Sequence, residues 1–134
     1  MANLYEYKGK VIKIVDGDTI DIQVDLGFSI YINQRVRLYG IDTPELNSKN
    51  PTERLASLHI KSYLNLQWLN QDVYIKSVKG EDKYGRYLAL IYNRMDVSLN
   101  QFLTDNRFAK LYFGDKKSPW TDDELNVIIG AGLA

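Results

Sequence analysis

Three short segments concentrate side chains that could perform acid–base or metal chemistry. They are Asp16-Gly17-Asp18-Thr19, Arg37-Leu38-Tyr39-Gly40-Ile41-Asp42-Thr43-Pro44-Glu45 and Asp82-Lys83-Tyr84-Gly85-Arg86. Asp16 and Asp18 are separated by one glycine, and Asp42 and Glu45 lie on either side of a proline turn. If the first two segments meet in the fold, they could bring up to four carboxylates together.

A cluster of carboxylates requires a cation. Carboxylates, a backbone carbonyl and water form an oxygen-only ligand set, which suits hard ions such as calcium. The chain has no cysteine and one histidine, so it offers little that would favour zinc. Each acidic pair by itself is more often a turn former or a solvated surface group. The prediction of a cation site therefore depends on the segments coming together.

Strands should position the first two segments. From residue 7 to residue 39, apolar and polar residues alternate in three runs that turn segments separate, which predicts three consecutive antiparallel strands. In residues 19–24 the isoleucine and valine side chains should lie on one face, and Asp21 and Gln23 on the other. One face of this sheet is predicted to pack and the other to contact water.

A helix is predicted to start at Asn50-Pro51-Thr52-Glu53 and to run to about Leu69. Asn50 would be the N-cap, Pro51 the first helical residue, and Glu53 would close a capping box. The side chains predicted to pack against the barrel form one stripe: Leu55, Leu58, Leu66 and Leu69, widened by Ile60, Tyr63 and Leu64.

The remaining elements complete a small barrel. They are strands at 72–78 and 87–92 joined by the charged turn 79–86, a short helix around 97–104, and a final helix that starts at a Thr121–Glu124 capping box and ends at Gly130 and Gly132. The order of elements predicts an α+β, mainly β, fold: a five-stranded, partly open OB-type barrel with about three helices.

Composition predicts one domain over residues 1–134, with a core at about 7–113. Because 17 basic and 17 acidic residues cancel, any phosphate binding must be local. The first residues lack the pattern of a signal peptide, and no apolar stretch reaches the roughly 18 to 20 residues of a membrane span. We therefore expect no membrane partner, and an intracellular protein or a secreted one whose leader has been removed.

The three segments resemble those of the staphylococcal nuclease (thermonuclease) family in order and spacing. The matching motifs are Gly-Asp-Thr after the first strand, Arg-Leu-x-Gly-Ile-Asp-Thr-Pro-Glu after the third, and Asp-Lys-Tyr-Gly-Arg before the fifth. The resemblance covers roughly residues 8–112. It implies an OB-fold, a bound calcium ion, and hydrolysis of DNA and RNA at the bond between phosphorus and the 5′ oxygen, which leaves 3′-phosphates.

The resemblance also implies a role for each site residue. Asp18 and Asp42 match the carboxylates that bind calcium, and the backbone carbonyl of Thr43 matches a third protein ligand. Arg37 and Arg86 match the two arginines that contact the scissile phosphate. Arginine suits this task because its planar fork can hold two phosphate oxygens and stays charged.

Four further residues are assigned by the same resemblance. Glu45 matches the glutamate that acts on the attacking water, either as general base or as an orienting acceptor. Lys83 and Tyr84 match residues near a terminal phosphate of the bound nucleotide, and Tyr112 matches a base-stacking tyrosine. Trp68 and Trp120 are expected to be packing residues rather than base platforms.

One alternative function remains open. A non-catalytic OB module could bind single-stranded nucleic acid or a protein partner, because an OB-fold does not by itself imply chemistry. Such a module is expected to have lost some ligands and arginines. This chain keeps five of them together, which favours a nuclease: Asp18, Arg37, Asp42, Glu45 and Arg86. We expect a monomer that acts on DNA and RNA, with a preference for single strands.

Overall fold

The computed structural model describes residues 4–81 and 86–131, with the backbone alone for residues 79–81. In chain order, the elements are β1 (Glu6–Asp16), β2 (Thr19–Asp25), β3 (Tyr31–Leu38), β4 (Ile41–Asp42), α1 (Pro51–Gln67), β5 (Asp72–Glu81), β6 (Tyr87–Tyr92), α2 (Leu99–Asp105), β7 (Lys110–Leu111) and α3 (Asp122–Ile129).

Five strands form a closed barrel in the order β1-β2-β3-β6-β5. All neighbouring strands are antiparallel except β3 and β6, which pair in parallel through residues 36–38 and 87–89. This confirms the predicted α+β OB-type barrel with five strands and three helices. The prediction that the barrel is partly open is wrong, because the short parallel pairing closes it.

The barrel interior follows from alternation in the strands. In β2, the side chains of Ile20, Ile22 and Val24 are buried while Gln23 is exposed, as predicted. The same rule along the other strands fills the barrel with branched apolar side chains, among them Val11, Val36, Leu38, Ile75 and Ile91.

Helix α1 starts where the sequence predicts, but Glu53 has a different partner. Asn50 Oδ1 accepts a hydrogen bond from the Thr52 N–H at 2.9 Å, and Pro51 is the first helical residue. Glu53 Oε2 accepts from the N–H of Glu45 at 2.9 Å, so the predicted capping box is wrong. The preceding loop folds back over the helix start and offers Glu53 another donor.

The buried face of α1 also differs from the predicted stripe. Ala56, Ser57, Ile60 and Leu64 are buried, whereas three of the predicted leucines are exposed: Leu55, Leu58 and Leu66. The buried positions recur every three or four residues, which places them on one side of a helix. Ile60 and Leu64 confirm part of the predicted stripe, whereas the small residues Ala56 and Ser57 extend the buried face in a direction that the leucines do not indicate.

Helix α3 packs against α1 through two fully buried side chains, Leu125 and Ile128. Its predicted capping box is confirmed. The Glu124 N–H donates to Thr121 Oγ1 at 3.2 Å, and the Thr121 N–H donates to Glu124 Oε1 at 2.9 Å. None of the described helices combines the length and apolar character needed to cross a membrane.

Candidate active site

The β1–β2 turn and the segment after β4 touch at one glycine. A Cβ placed on Gly17 would lie 2.7 Å from Thr43 Oγ1, so only glycine allows this contact. Asp16 Oδ1 accepts from the N–H of Asp18 at 3.1 Å, and Asp18 Oδ2 lies 3.4 Å from the N–H of Thr43. The first and second polar segments therefore meet, as the sequence predicts.

Arg37 lies at the end of β3 and joins two buried carboxylates. It pairs across the sheet with Thr19 and is only 3% exposed. Its Nη2 atom lies 3.3 Å from Asp18 Oδ2 and 3.8 Å from Asp42 Oδ1. Charges are tolerated at this depth only when they are paired, so these three side chains form one interdependent cluster.

Asp42 is positioned by a two-stranded sheet outside the barrel, in which it pairs with Lys110. Gly40, at φ +81°, allows the turn into this sheet. Trp120 Nε1 lies 3.3 Å from Asp42 Oδ2. Lys117 Nζ lies 3.1 Å from Asp42 Oδ1 and forms an ion pair with it.

One cleft of about 640 Å³ collects most of the predicted site residues. Its lining includes the three residues predicted to be catalytic, Arg37, Glu45 and Arg86, together with Asp16, Asp18, Thr43 and Lys117. The side chain of Glu45 is 57% exposed and lies 3.7 Å from Lys117 Nζ. Glu53 holds the backbone N–H of Glu45, so the start of α1 fixes the part of the loop that carries this carboxylate.

Tyr112 lies beside the cluster of charges. Its ring centroid is 5.4 Å from Arg37 Cζ and 5.3 Å from Lys117 Nζ, within the range of cation–π contacts. Its N–H donates to the carbonyl of Gly40 at 2.8 Å. Lys83 and Tyr84, which are predicted to contact a terminal phosphate, lie outside the described residues.

Burial changes the titration of two groups in the cleft. Burial and the adjacent Asp18 carboxylate raise the pKa of Asp16 to about 7. Burial alone would lower the pKa of Lys117, but the charge of Asp42 and its contact with the ammonium outweigh this, and the pKa is raised. Lys117 is therefore fully charged at neutral pH.

The donor atoms predicted to bind calcium are all oxygens, which suits a hard cation. Asp42 Oδ1 is buried and accepts no hydrogen bond, so it is available as a ligand. Asp18 and Asp42 both approach Arg37, and Thr43 adjoins Asp18. Within the described ranges, however, no three acidic, histidine or cysteine side chains are arranged to hold one metal ion. The four predicted carboxylates do approach one another, with Asp16, Asp18 and Glu45 lining the cleft and Asp42 beside Arg37, but among the described residues they are not grouped around one point.

Sequence reasoning missed two residues of the site, Lys117 and Trp120. Trp120 was predicted to be a packing residue, and it does pack against the core, but its indole N–H also contacts Asp42. Both residues follow β7 in a segment without periodic pattern. The pairing of β4 with β7 brings this segment over Asp42, and neither strand is long enough to be recognised from the sequence.

Comparison with known proteins identifies the family. The model of the family described as staphylococcal nuclease homologue matches residues 35–128. The chain is 29% identical to an uncharacterized protein of Methanocaldococcus jannaschii, with 90% of this chain and 66% of the relative aligned. It is 32% identical to the thermonuclease of Staphylococcus hyicus, with 84% and 64% aligned. It is also 34% identical to the micrococcal nuclease of Shigella flexneri, with 65% and 43% aligned.

The chain therefore spans less than two thirds of the length of these relatives. The family model, in contrast, covers most of the chain and begins just before Arg37. It includes the closing strands of the barrel, the segment that carries Lys117, and most of α3. On this evidence, the chain belongs to the staphylococcal nuclease homologue family.

Proposed function

We propose that this protein is a calcium-dependent nuclease that hydrolyses phosphodiester bonds of DNA and RNA. The proposed cleavage is at the bond between phosphorus and the 5′ oxygen, leaving 3′-phosphates. One observation carries the proposal: Arg37, Glu45 and Arg86 line a single cleft next to the buried carboxylates. The names of the staphylococcal and Shigella relatives, thermonuclease and micrococcal nuclease, support a nucleic-acid substrate.

The charge balance of the cleft supports a requirement for a cation. Among the described lining residues, Asp18 and Glu45 are acidic and Arg37, Arg86 and Lys117 are basic, while Asp16, with its pKa raised to about 7, carries only part of a negative charge at neutral pH. Asp42 adds a further negative charge beside Arg37. Addition of a phosphodiester to this balanced site would leave excess negative charge in a partly buried space, and a divalent cation would offset it.

Asp18, Asp42 and the carbonyl of Thr43 would hold the calcium ion. When bound, the ion would neutralise and polarise the phosphate. Arg37 is already oriented by Asp18 at 3.3 Å, so its guanidinium loses little freedom when it contacts a phosphate oxygen. Arg86 lines the same cleft and would stabilise the charge that develops on the phosphoryl oxygens.

Glu45 would prepare the attacking water. Its carboxylate is mostly exposed and borders the cleft, so it can reach a water molecule that enters from solvent. It would accept the proton of that water or orient it for in-line attack on phosphorus. Tyr112, beside Arg37, would stack on an unpaired base, which favours a single-stranded substrate. Lys83 and Tyr84 would contact a neighbouring phosphate, and the enzyme would act as a monomer.

The test is a cleavage assay with single-stranded DNA and RNA in calcium, in magnesium and in excess chelator. We expect cleavage in calcium and none in chelator. Magnesium should support less turnover, because it demands stricter octahedral geometry. Glu45→Gln should lower turnover by about 10²- to 10⁴-fold. Glu6→Gln, at an exposed residue of β1, is the matched control and should retain activity.

Two results would count against the proposal. Products that carry 5′-phosphates would contradict the bond we assign. Intact DNA and RNA after incubation of folded protein in calcium would contradict the nuclease itself. In that case, binding of the same oligonucleotides without cleavage would favour the alternative of a non-catalytic OB module.

A further inference from the structure

Lys117 lies in the cleft but has no part in the reaction proposed above. Its ammonium contacts Asp42 Oδ1 at 3.1 Å and Glu45 Oε1 at 3.7 Å, and its side chain is 34% exposed. Asp42 Oδ1 is the same buried oxygen that would be available to a metal ion. A positively charged group of the protein therefore lies against a proposed metal ligand.

The segment that carries Lys117 is held against Asp42 by contacts of Trp120 and Lys110. Trp120 Nε1 contacts the other oxygen of that carboxylate, Oδ2, at 3.3 Å. Lys110 Nζ holds this segment by donating to the carbonyl of Pro119 at 3.0 Å and by lying 4.5 Å from the Trp120 ring centroid. The backbone near Lys117 is thus anchored, while the lysine side chain retains a flexible four-carbon stem.

Arg37 contacts the same carboxylate but cannot move in this way. It is 3% exposed and is also paired with Asp18. Lys117 is nearer to solvent, with a side chain that is 34% exposed against 4% for Arg37. Of these two cations, Lys117 is the one that can leave Asp42 at small cost.

We propose that Lys117 competes with the divalent cation for Asp42 and thereby couples metal binding to phosphate binding. The proposal rests on the proposed function, because it requires a cation at Asp42. Without substrate, a cation must displace the ammonium. With a phosphate in the cleft, the displaced ammonium gains a new anionic partner. The cation should therefore bind weakly alone and more tightly with a phosphate, and the phosphate should gain equally from the cation.

The first experiment measures calcium binding without substrate, by titration calorimetry. Lys117→Met should bind calcium about three- to fivefold more tightly than the wild type, the upper part of the range expected for one partly exposed ion pair. Lys117→Arg keeps the charge and should stay within about twofold of the wild type. Lys116→Met is the matched control, because it removes the same charge from an exposed residue next in the chain. It should also change affinity by less than about twofold.

The second experiment repeats the titration with saturating thymidine 5′-monophosphate, which has no phosphodiester bond to cleave. In the wild type, the nucleotide should tighten calcium binding. In Lys117→Met, this gain should be at least about threefold smaller, because the variant has no ammonium to transfer from Asp42 to the phosphate. Thermal unfolding without metal should be measured for each variant to show that all of them are folded.

The possible results separate this proposal from the proposed function. If the wild type binds calcium and Lys117→Met binds it equally or more weakly, the competition is wrong and the nuclease proposal is unaffected. If Lys116→Met tightens binding as much as Lys117→Met, general charge explains the effect and the competition is again wrong. If the wild type binds no divalent cation, both the competition and the metal site of the proposed function are wrong.

Discussion

Apolar side chains are usually buried and charged ones exposed, and both ends of the β2–β3 pair depart from this rule in opposite ways. At the end that contains Thr19 and Arg37, charged side chains are buried. At the other end, the β2–β3 turn exposes apolar side chains, among them Leu26, Ile30 and Phe28, which is 99% exposed. Between these ends, β2 alternates regularly, whereas the first five residues of β3 are all exposed or half-buried.

The two ends differ in the contacts that their unusual side chains make. The buried charges contact one another, and every member of the cluster has a partner of opposite charge. The exposed Phe28 instead lies in the left-handed region at φ +54°, which is unusual for a large side chain. Changes at the charged end should therefore affect both activity and stability, whereas changes at the turn should affect neither strongly.

The largest effect is expected from Arg37→Met. Turnover should fall by at least about 10²- to 10³-fold, because a preorganised donor to the transition state is lost. The free energy of unfolding should also fall, by about 3–5 kcal/mol, because Asp18 and Asp42 would stay buried without this partner. Steady-state cleavage and urea unfolding measure the two effects.

Arg35→Met is the control for this change, since it lies on the same strand with a mostly exposed side chain. It should keep turnover close to that of the wild type. A variant at Arg37 that is inactive but fully stable would contradict the interdependence of the buried cluster.

Arg86→Lys should separate activity from stability. Lysine cannot reproduce the bidentate geometry of arginine, so turnover should fall by about 10²-fold or more. Arg86 is only partly buried, so the unfolding midpoint should change little. Arg94→Lys, at an exposed residue, serves as the control. Retention of more than about a tenth of wild-type turnover, a barrier change under about 1.4 kcal/mol, would contradict the role of Arg86.

A smaller effect is expected at the exposed ion pair between the two ends. Arg35 donates to Asp21 through Nε at 2.8 Å and Nη2 at 3.1 Å, and these hydrogen bonds hold the pKa of Asp21 below its ordinary value of 3.8. A lowered carboxyl pKa contributes stability above the ordinary value and loses it as the pH falls through the lowered one. Asp21→Asn should therefore be slightly less stable than the wild type at neutral pH.

Urea unfolding at a series of pH values measures this dependence. The difference between the wild type and Asp21→Asn should shrink towards zero in acid, and it should always be smaller than the loss in Arg37→Met. A difference that grew as the pH fell would show that the sign of the pKa shift is wrong.

The smallest effect is expected at the turn. Phe28→Asn removes a fully exposed ring and introduces a residue that tolerates positive φ. The free energy of unfolding should change by no more than about 0.5 kcal/mol, and turnover should not change. A loss above about 2 kcal/mol would show that the ring packs against the protein.

The features that were predicted correctly from the sequence depend on local chemistry. Alternation in β2 and the Thr121–Glu124 capping box each need only neighbouring residues, and both were confirmed. Glu53 was assigned wrongly because its partner, the Glu45 N–H, is outside the helix. The buried face of α1 was predicted in part: Ile60 and Leu64 are buried as expected, but Leu55, Leu58 and Leu66 are exposed, and the small Ala56 and Ser57 are buried instead.

The site residues likewise divide into those that local motifs identify and those that only distant contacts position. Asp18, Arg37 and Glu45 lie in recognisable motifs, and the fold brings them to one cleft. Lys117 could not be found, because its approach to Asp42 depends on a two-residue strand pairing with no signature of its own. A residue that is positioned by a short pairing between distant parts of the chain cannot be identified from local sequence patterns.

The parallel pairing that closes the barrel also determines when the site can exist during folding. Arg37 pairs with Leu88, about fifty residues later in the chain, and Arg86 lies directly before the strand that makes this pairing. Contacts of such long sequence separation are slow to form, since a long loop must first be closed. A chain in which the barrel is still open would hold the carboxylates on one part and Arg86 on another. Catalytic activity should therefore require a closed barrel. In a refolding experiment, activity should not recover before the barrel has closed.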